Sequence, residues 1–169
     1  TKYQDTMKFE DIDINNIVLE KSVKTSYDIR LNGNSIEFWT PELYVPFGIE
    51  SKFNNYFLNL ELKGDNNSIQ LFQYFIETIE SKLIELLDIP KELLNSQIRY
   101  NDNFTILYTK VYEKYKKIIT DVKNKDNSFV NIFDLEKDNY VNVNLIVDKL
   151  WFINGMYYYK FKLKNIVIC

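Results

Sequence analysis

Histidine is absent from this sequence, and cysteine occurs once, at Cys169. Without histidine the chain lacks the commonest general base, the commonest catalytic metal ligand and every Ser–His or Cys–His nucleophile pair. A single cysteine forms neither an internal disulfide nor a cysteine-rich zinc site. We therefore expect a protein that is not an enzyme and that uses no metal or cofactor.

Glycine and long apolar runs are also scarce. With four glycines the sequence contains no GxGxxG or GxxxxGK[ST] motif, so a glycine-rich phosphate-binding loop is not expected. No apolar run approaches the roughly 18 residues that span a membrane, and we expect no membrane partner. The single cysteine fits an intracellular, reducing compartment.

Aromatic residues, in contrast, are abundant, with 13 tyrosines and 12 phenylalanines among 169 residues. Hydrophobic residues make up 46% of the chain, which suits one domain with a packed core. We predict a flexible N-terminal segment over residues 1–11 and a single domain over residues 12–169. Residues 99–169 carry 12 basic and 8 acidic side chains, against 9 and 16 in residues 1–98, which favours an anionic partner for the second half.

Residues 12–64 have the alternating pattern of β-strands. Apolar and charged residues alternate over residues 27–31, and Asn32-Gly33-Asn34 follows as a turn. We place Gly33 and Asn34 at the turn, because this register sets Arg30 opposite Glu37. A turn one residue earlier would set Asp28 opposite Glu37, a like-charge pair.

One amphipathic helix is predicted over about residues 68–88. Ser68 is a suitable N-cap, apolar residues between 72 and 87 recur at helical spacing, and Pro90 ends the helix. The pattern places Glu77, Glu80 and Lys82 on its outer face. Residues 104–123 are ambiguous: the apolar spacing fits a helix, whereas the many β-branched residues favour a hairpin that turns near Glu113-Lys114.

The C-terminal segment predicts a long β-hairpin, residues 140–153 and 156–168, around Asn154-Gly155. A two-residue turn sets Trp151 opposite Tyr158 and Leu150 opposite Tyr159. One face is then apolar and belongs to the core: Leu150, Phe152, Tyr157, Tyr159, Phe161 and Leu163. The opposite face is aromatic and basic: Trp151, Tyr158, Lys149, Lys160, Lys162 and Lys164.

Aromatic rings beside a row of lysines suit single-stranded nucleic acid, because the rings stack on unpaired bases while the lysines neutralise phosphates. The alternative is that Trp151 and Tyr158 pack under a neighbouring element and the lysines form a solvated rim. As a hairpin, residues 104–117 extend the same face with Tyr108, Lys110, Tyr112, Lys114, Lys116 and Lys117. As a helix, this segment would send its tyrosines to the core. Trp39 is a further candidate for stacking on a base.

Two short motifs carry a family resemblance. Residues 40–49 contain Pro46-Phe47-Gly48, and the C-terminal hairpin contains Trp151-Phe152 before Asn154-Gly155. With the strand and amphipathic helix between them, they resemble a family of small proteins from nucleocytoplasmic large DNA viruses. That family is similar to the phage T7-type single-stranded-DNA-binding proteins. The resemblance covers residues 12–169 and implies a mainly β fold, an OB-like antiparallel barrel with one inserted helix.

The function that the resemblance implies is sequence-tolerant binding of single-stranded DNA in viral DNA replication or repair. It places the protein at replication sites in the host cytoplasm or nucleus, or packaged in the virion, with replication proteins as further partners. RNA remains an alternative ligand, since OB barrels bind both nucleic acids. The alternative function is that of a virion structural protein or replication-complex adaptor that uses the same face to contact protein. A homo-oligomer is a further partner that this sequence allows.

Overall fold

The computed structural model describes residues 7–169, which form sixteen strands and one α-helix. The strands are β1 Ile17–Lys21, β2 Ser26–Leu31, β3 Ile36–Trp39, β4 Leu43–Tyr44, β5 Ile49–Lys52, β6 Asn55–Glu61, β7 Leu94–Asn95 and β8 Ile98–Tyr100. They continue as β9 Thr105–Val111, β10 Glu113–Lys114, β11 Lys117–Ile118, β12 Asp121–Asn124, β13 Tyr140–Val147, β14 Lys149–Ile153, β15 Met156–Tyr159 and β16 Phe161–Ile168. Helix α1 spans Asn67–Leu87. No helix in residues 7–169 is long and apolar enough to cross a membrane.

Five strands close into a barrel. Strand β13 pairs with β16 and β4, β4 pairs with β6, β6 pairs with β9, and β9 pairs with β16, which completes the ring. The inward residues alternate along each strand, so that Leu58, Thr109 and Phe161 lie side by side and are almost completely buried. The prediction of a mainly β, OB-like barrel with one helix is confirmed.

Helix α1 begins after Asn66, whose side chain accepts a hydrogen bond from the Ile69 amide at 2.9 Å. Asn66, rather than Ser68, is therefore the N-cap. The apolar face of the helix packs on the barrel core, where the rings of Phe38 and Phe75 lie 4.9 Å apart. The helix agrees with the prediction for residues 68–88 to within one or two residues.

Glu80 corrects the predicted outer face of α1, because its side chain is buried. The Glu80 carboxylate accepts hydrogen bonds from Ser96 Oγ at 2.6 Å, from the Gln97 amide at 2.8 Å and from the Tyr159 hydroxyl. These hydrogen bonds replace those that the Glu80 carboxylate would make with water. Helical periodicity does not reveal such buried partners.

The N-terminal segment packs against this helix. Phe9, which the sequence analysis assigned to the flexible segment, is buried, and its ring lies 5.1 Å from that of Phe72. Residues 1–6 of that segment lie outside the described residues. The division of the chain at residue 12 stays a prediction.

The register predicted for residues 27–38 is wrong. The turn lies at Asn32-Gly33, both with positive φ, and the strands part after a single bridge between Leu31 and Asn34. Strand β2 pairs with β1 and β14, while β3 pairs with β13. The like-charge pair of Asp28 and Glu37 never forms, because Asp28 faces Lys149 on β14 instead.

The C-terminal hairpin has the predicted turn and local register. Trp151 lies opposite Tyr158 and Leu150 opposite Tyr159. At Leu145 and Ile146 the pairing is shifted by one residue, so that Ile146 faces Lys162 rather than Leu163; beyond a bulge at Asn144/Leu145 it returns to the register set by the turn. The slip occurs where β13 and β16 leave the barrel and continue as β14 and β15 in a second sheet, ordered β1-β2-β14-β15-β7.

The predictions for residues 104–123 and for Phe152 have different outcomes. Residues 104–123 are strands and a hairpin rather than a helix, and the hairpin turns at Tyr115-Lys116, directly after the predicted Glu113-Lys114. Phe152, predicted as core, is 38% exposed and packs beside Tyr157 at a ring distance of 4.7 Å. It lies near the tip of the hairpin, beyond the barrel interior.

Candidate nucleic-acid interface

A cleft of about 360 Å³ lies on the outer surface of the barrel, where β6, β9 and the junction of β15 with β16 meet. It brings together four of the predicted site residues: Tyr108, Lys110, Tyr158 and Lys160. Residues that sequence reasoning missed complete the lining: Glu50, Lys52, Phe53, Phe57, Asn59, Asn95, Gln97, Thr109 and Tyr159.

The strand register explains how these side chains share one surface. Tyr108 lies opposite Asn59 on β6, and Lys110 lies opposite Phe57 on the same strand. On the other side of β9, Lys110 is level with Lys162 of β16. Because side chains alternate between the two faces of a strand, the buried Thr109 faces inward while Tyr108 and Lys110 face the cleft.

Lys160 and Lys110 supply positive charge to the cleft. Burial, followed by the nearby charges of Lys110 and Lys162, lowers the pKa of Lys160 below its ordinary value. Neither Lys110 nor Lys160 has a carboxylate within 4.0 Å among residues 7–169. A phosphate bound here would therefore relieve repulsion between like charges without breaking an ion pair.

The other predicted lysines of the C-terminal hairpin are already paired. Lys149 Nζ lies 3.3 Å from Asp28, and Lys162 Nζ lies 3.2 Å from Asp148. Lys164 Nζ lies 2.9 Å from Glu37. These carboxylates come from distant strands or from the strand junction, and they reduce the charge that three of the predicted site lysines can offer to an anion.

Trp151 and Tyr158 are cross-strand neighbours on β14 and β15, and both side chains are half-buried. Tyr158 lines the cleft and also lies level with Asn95 of β7. Trp151 is placed beside the cleft rather than inside its lining. The pair therefore extends the aromatic surface of the cleft onto the second sheet.

The β10–β11 hairpin forms a separate basic projection. Tyr115 at its turn is 97% exposed, and Lys114, Lys116 and Lys117 are also exposed. Tyr112 at its base lies under two ammonium groups, those of Lys114 at 5.7 Å and Lys162 at 5.3 Å from the ring centroid. The hairpin thus continues the basic surface from Lys162 outward.

Trp39 does not join the other predicted residues. Its side chain lines a different recess, beside Lys8, Phe9 and Ser68 at the start of helix α1, and its amide donates to the Met7 carbonyl at 2.9 Å. The N-terminal segment thus covers part of the strand that carries Trp39, a long-range contact that the strand pattern alone does not disclose.

Phe53 and Lys52 are two exposed residues that sequence reasoning missed. They lie at the tip of the β5–β6 hairpin, where Phe53 is 85% exposed and both Phe53 and Asn54 have positive φ. An exposed aromatic residue next to a lysine in a Phe-Asn-Asn turn was a usable signal. The carboxamides of Asn59, Asn95 and Gln97 carried no such signal, because only the fold places them together.

A closed five-stranded barrel with one helix defines an OB-type fold, and this one carries an aromatic and basic cleft on its outer surface. No protein-family model matches the sequence. No curated protein matches it either.

Solved structures do match the fold. The single-stranded DNA-binding protein from bacteriophage Enc34 in complex with ssDNA aligns with a TM-score of 0.58 at 11% identity, over 90% of this chain and 94% of that one. The single-stranded DNA-binding protein gp2.5 encoded by bacteriophage T7 aligns with a TM-score of 0.51 at 13% identity, over 78% and 90%. At these identities the likeness establishes the fold.

Proposed function

We propose that this protein binds single-stranded DNA in the cleft between β6, β9 and β15–β16. The observation that carries the proposal is the meeting of Tyr108 and Tyr158 with two unpaired lysines, Lys110 and Lys160, in one open groove. The likeness in fold to two phage single-stranded-DNA-binding proteins supports the same ligand.

The chemistry of the cleft suits an unpaired strand. Each aromatic ring that stacks on a base contributes about 1–3 kcal/mol, and stacking tolerates any base because every base has a π-face. Lysines between the rings neutralise phosphates and release counterions. A duplex hides its base planes inside the helix, so the same groove would bind it more weakly.

The first test is a fluorescence-anisotropy titration of oligo-dT, a matching duplex and oligo-U at several salt concentrations. The proposal expects single strands to bind better than duplex, with an affinity that falls steeply as salt rises. Comparison of oligo-dT with oligo-U separates DNA from RNA. Absence of binding to oligo-dT at low salt would overturn the proposal.

Tyr158→Ala and Tyr108→Ala test the cleft itself. Each variant is expected to weaken oligo-dT binding about tenfold, the effect of losing one stacked base. Tyr74→Ala is a matched control, because Tyr74 is 68% exposed on helix α1 and does not line the cleft. Melting temperatures measured in parallel identify any loss that comes from unfolding.

The two tryptophans allow an independent optical test. Trp151 lies beside the cleft and Trp39 lies in the separate recess near helix α1. Quenching of tryptophan emission by oligo-dT should therefore persist in Trp39→Phe and disappear in Trp151→Phe. Quenching that disappears in Trp39→Phe and persists in Trp151→Phe would indicate that DNA binds in the recess around Trp39.

The wider role that we propose is protection of single strands in viral DNA replication or repair. It rests on the resemblance in residues 40–49 and 150–163 to proteins of nucleocytoplasmic large DNA viruses, and it implies replication proteins as partners at intracellular replication sites. Protection of single-stranded DNA from a single-strand-specific nuclease at saturating protein is the expected activity. A stable oligomer, indifferent to DNA by light scattering, would favour the adaptor function instead.

A further inference from the structure

The groove continues past Tyr108 into a second recess. This recess has a volume of about 490 Å³ and shares Asn95, Gln97 and Tyr108 with the cleft. Its remaining lining comes from residues 96 and 99–101, in and around strand β8. A single-stranded nucleic acid bound in the cleft can therefore extend along β-strands β7 and β8 and stay in contact with the protein surface.

Three hydrogen bonds determine what this recess presents to a ligand. Arg99 Nη2 donates to Asn95 Oδ1 at 3.0 Å, and Gln97 Nε2 donates to the Asn95 carbonyl at 3.3 Å. The Tyr108 amide donates to the Gln97 carbonyl at 2.8 Å, which holds Gln97 beside the Tyr108 ring. On the side chains of Asn95 and Gln97, the Asn95 Nδ2 donor and the Gln97 Oε1 acceptor are not engaged in these bonds.

Tyr108 and Arg99 supply stacking surfaces next to these two groups. The Arg99 guanidinium carbon lies 5.8 Å from the centroid of the Tyr108 ring. With Arg99 held by its hydrogen bond to Asn95, a base stacks on the exposed Tyr108 ring beside the guanidinium rather than between the two planes. Behind them Tyr100 is held by its hydroxyl, which donates to Glu77 at 2.5 Å.

We propose that Asn95, Gln97, Arg99 and Tyr108 form a base-reading subsite that prefers adenine. The inference rests on the proposed function and adds a preference at one position to an otherwise sequence-tolerant groove. Adenine presents the N7 acceptor and the N6 amino donor on one edge, which complement the Asn95 donor and the Gln97 acceptor. Guanine presents two acceptors there, and the pyrimidines offer less area for stacking on Tyr108.

The test compares oligo-dT with oligonucleotides of the same length in which every third dT is replaced by dA, dC or dG. The regular substitution places the test base at the subsite in one binding register of every three, so that a register with the test base bound is always available. We expect the wild-type protein to bind the dA-containing oligonucleotide about fivefold more tightly than oligo-dT. Asn95→Ala and Gln97→Met, at two residues that also line the cleft, should each reduce this ratio to about one, whatever their effect on the affinity for oligo-dT itself.

Asn16→Ala is the matched carboxamide control, because Asn16 is exposed and lies outside the groove. Stacking within the free dA-containing strand affects the wild type and the variants equally, so it cancels in the comparison. Equal affinities for all four oligonucleotides would overturn the subsite and leave the proposed function standing. An adenine preference that persists in both variants would also overturn it, whereas no binding to any oligonucleotide would remove the proposed function itself.

Discussion

The Tyr159 hydroxyl donates a hydrogen bond to the buried Glu80 carboxylate, and this contact joins strand β15 of the second sheet to helix α1. The same carboxylate accepts from the Gln97 amide at 2.8 Å. Tyr159 and Gln97 both line the cleft. One buried acid therefore anchors two walls of the candidate binding groove to the helix behind them.

Replacement of Glu80 by alanine should destabilise the fold by about 3 kcal/mol, because the buried Tyr159 hydroxyl and the partly buried Gln97 amide lose their acceptor and Ser96 keeps only the Ile98 carbonyl. Urea denaturation followed by circular dichroism measures the free energy of unfolding. Glu85→Ala is the control on the same helix, since Glu85 is exposed and should change stability by no more than about 0.5 kcal/mol. Equal effects of the two substitutions would contradict the structural role of Glu80.

Stability should fall at alkaline pH partly through Tyr159. Burial, followed by the charge of Glu80, raises the pKa of Tyr159 well above its ordinary value of 10.0. Above about pH 10 the unfolded chain loses this proton while the folded chain keeps it, so the free energy of unfolding decreases as pH rises. Below that pH the contribution is fully present.

The measurement is the unfolding free energy of the wild type and of Tyr159→Phe between pH 8 and 11. The slope of the variant above pH 10 should be shallower by up to about 1.4 kcal/mol per pH unit, the value for one proton. The hydrogen bond to Asp138 raises the pKa of Tyr44 to about 12. Tyr44 is present in both proteins, so its contribution to the pH dependence cancels in the comparison. Parallel slopes would show that Tyr159 does not resist ionisation in the fold.

Two glycines should respond differently to alanine. Gly155 has a φ of 83°, and a Cβ there would meet no atom within 4 Å, so Gly155→Ala should cost about 1 kcal/mol in backbone strain alone. Gly48 has a φ of 77°, and a Cβ there would lie 3.2 Å from the Leu135 carbonyl oxygen. Gly48→Ala should therefore be the more destabilising substitution in thermal unfolding, and the opposite order would refute the argument.

Lys160 and Lys164 should differ in how they affect the salt dependence of DNA binding. Lys160 has no carboxylate within 4.0 Å among the described residues, whereas Lys164 Nζ lies 2.9 Å from Glu37. Lys160→Ala should reduce the slope of log K against log salt by about 0.7, the value for one phosphate on a single strand. Lys164→Ala should leave the slope nearly unchanged, because Glu37 already neutralises that charge. An equal reduction of the slope in both variants would show that the Lys164–Glu37 ion pair opens when DNA binds.

Short-range signals predicted much of the chain correctly. The Asn154-Gly155 turn set Trp151 opposite Tyr158, because a two-residue turn with positive φ at both positions admits one local register. Helical spacing located α1 to within two residues, and β-branched side chains favoured strands at 104–123. These features depend on backbone sterics and on neighbours a few residues apart.

The tertiary structure decided which elements meet. Strand β2 pairs with β1 and β14 rather than with β3, and Glu80 is buried because Tyr159, 79 residues away, reaches it. The sequence by itself determined that the chain is rich in aromatic residues and lacks histidine, and that its C-terminal hairpin has one basic face. Only the closed barrel brought Tyr108 to the same cleft as Tyr158 and paired Lys164 with Glu37, since such contacts depend on long-range strand pairing that no local pattern encodes.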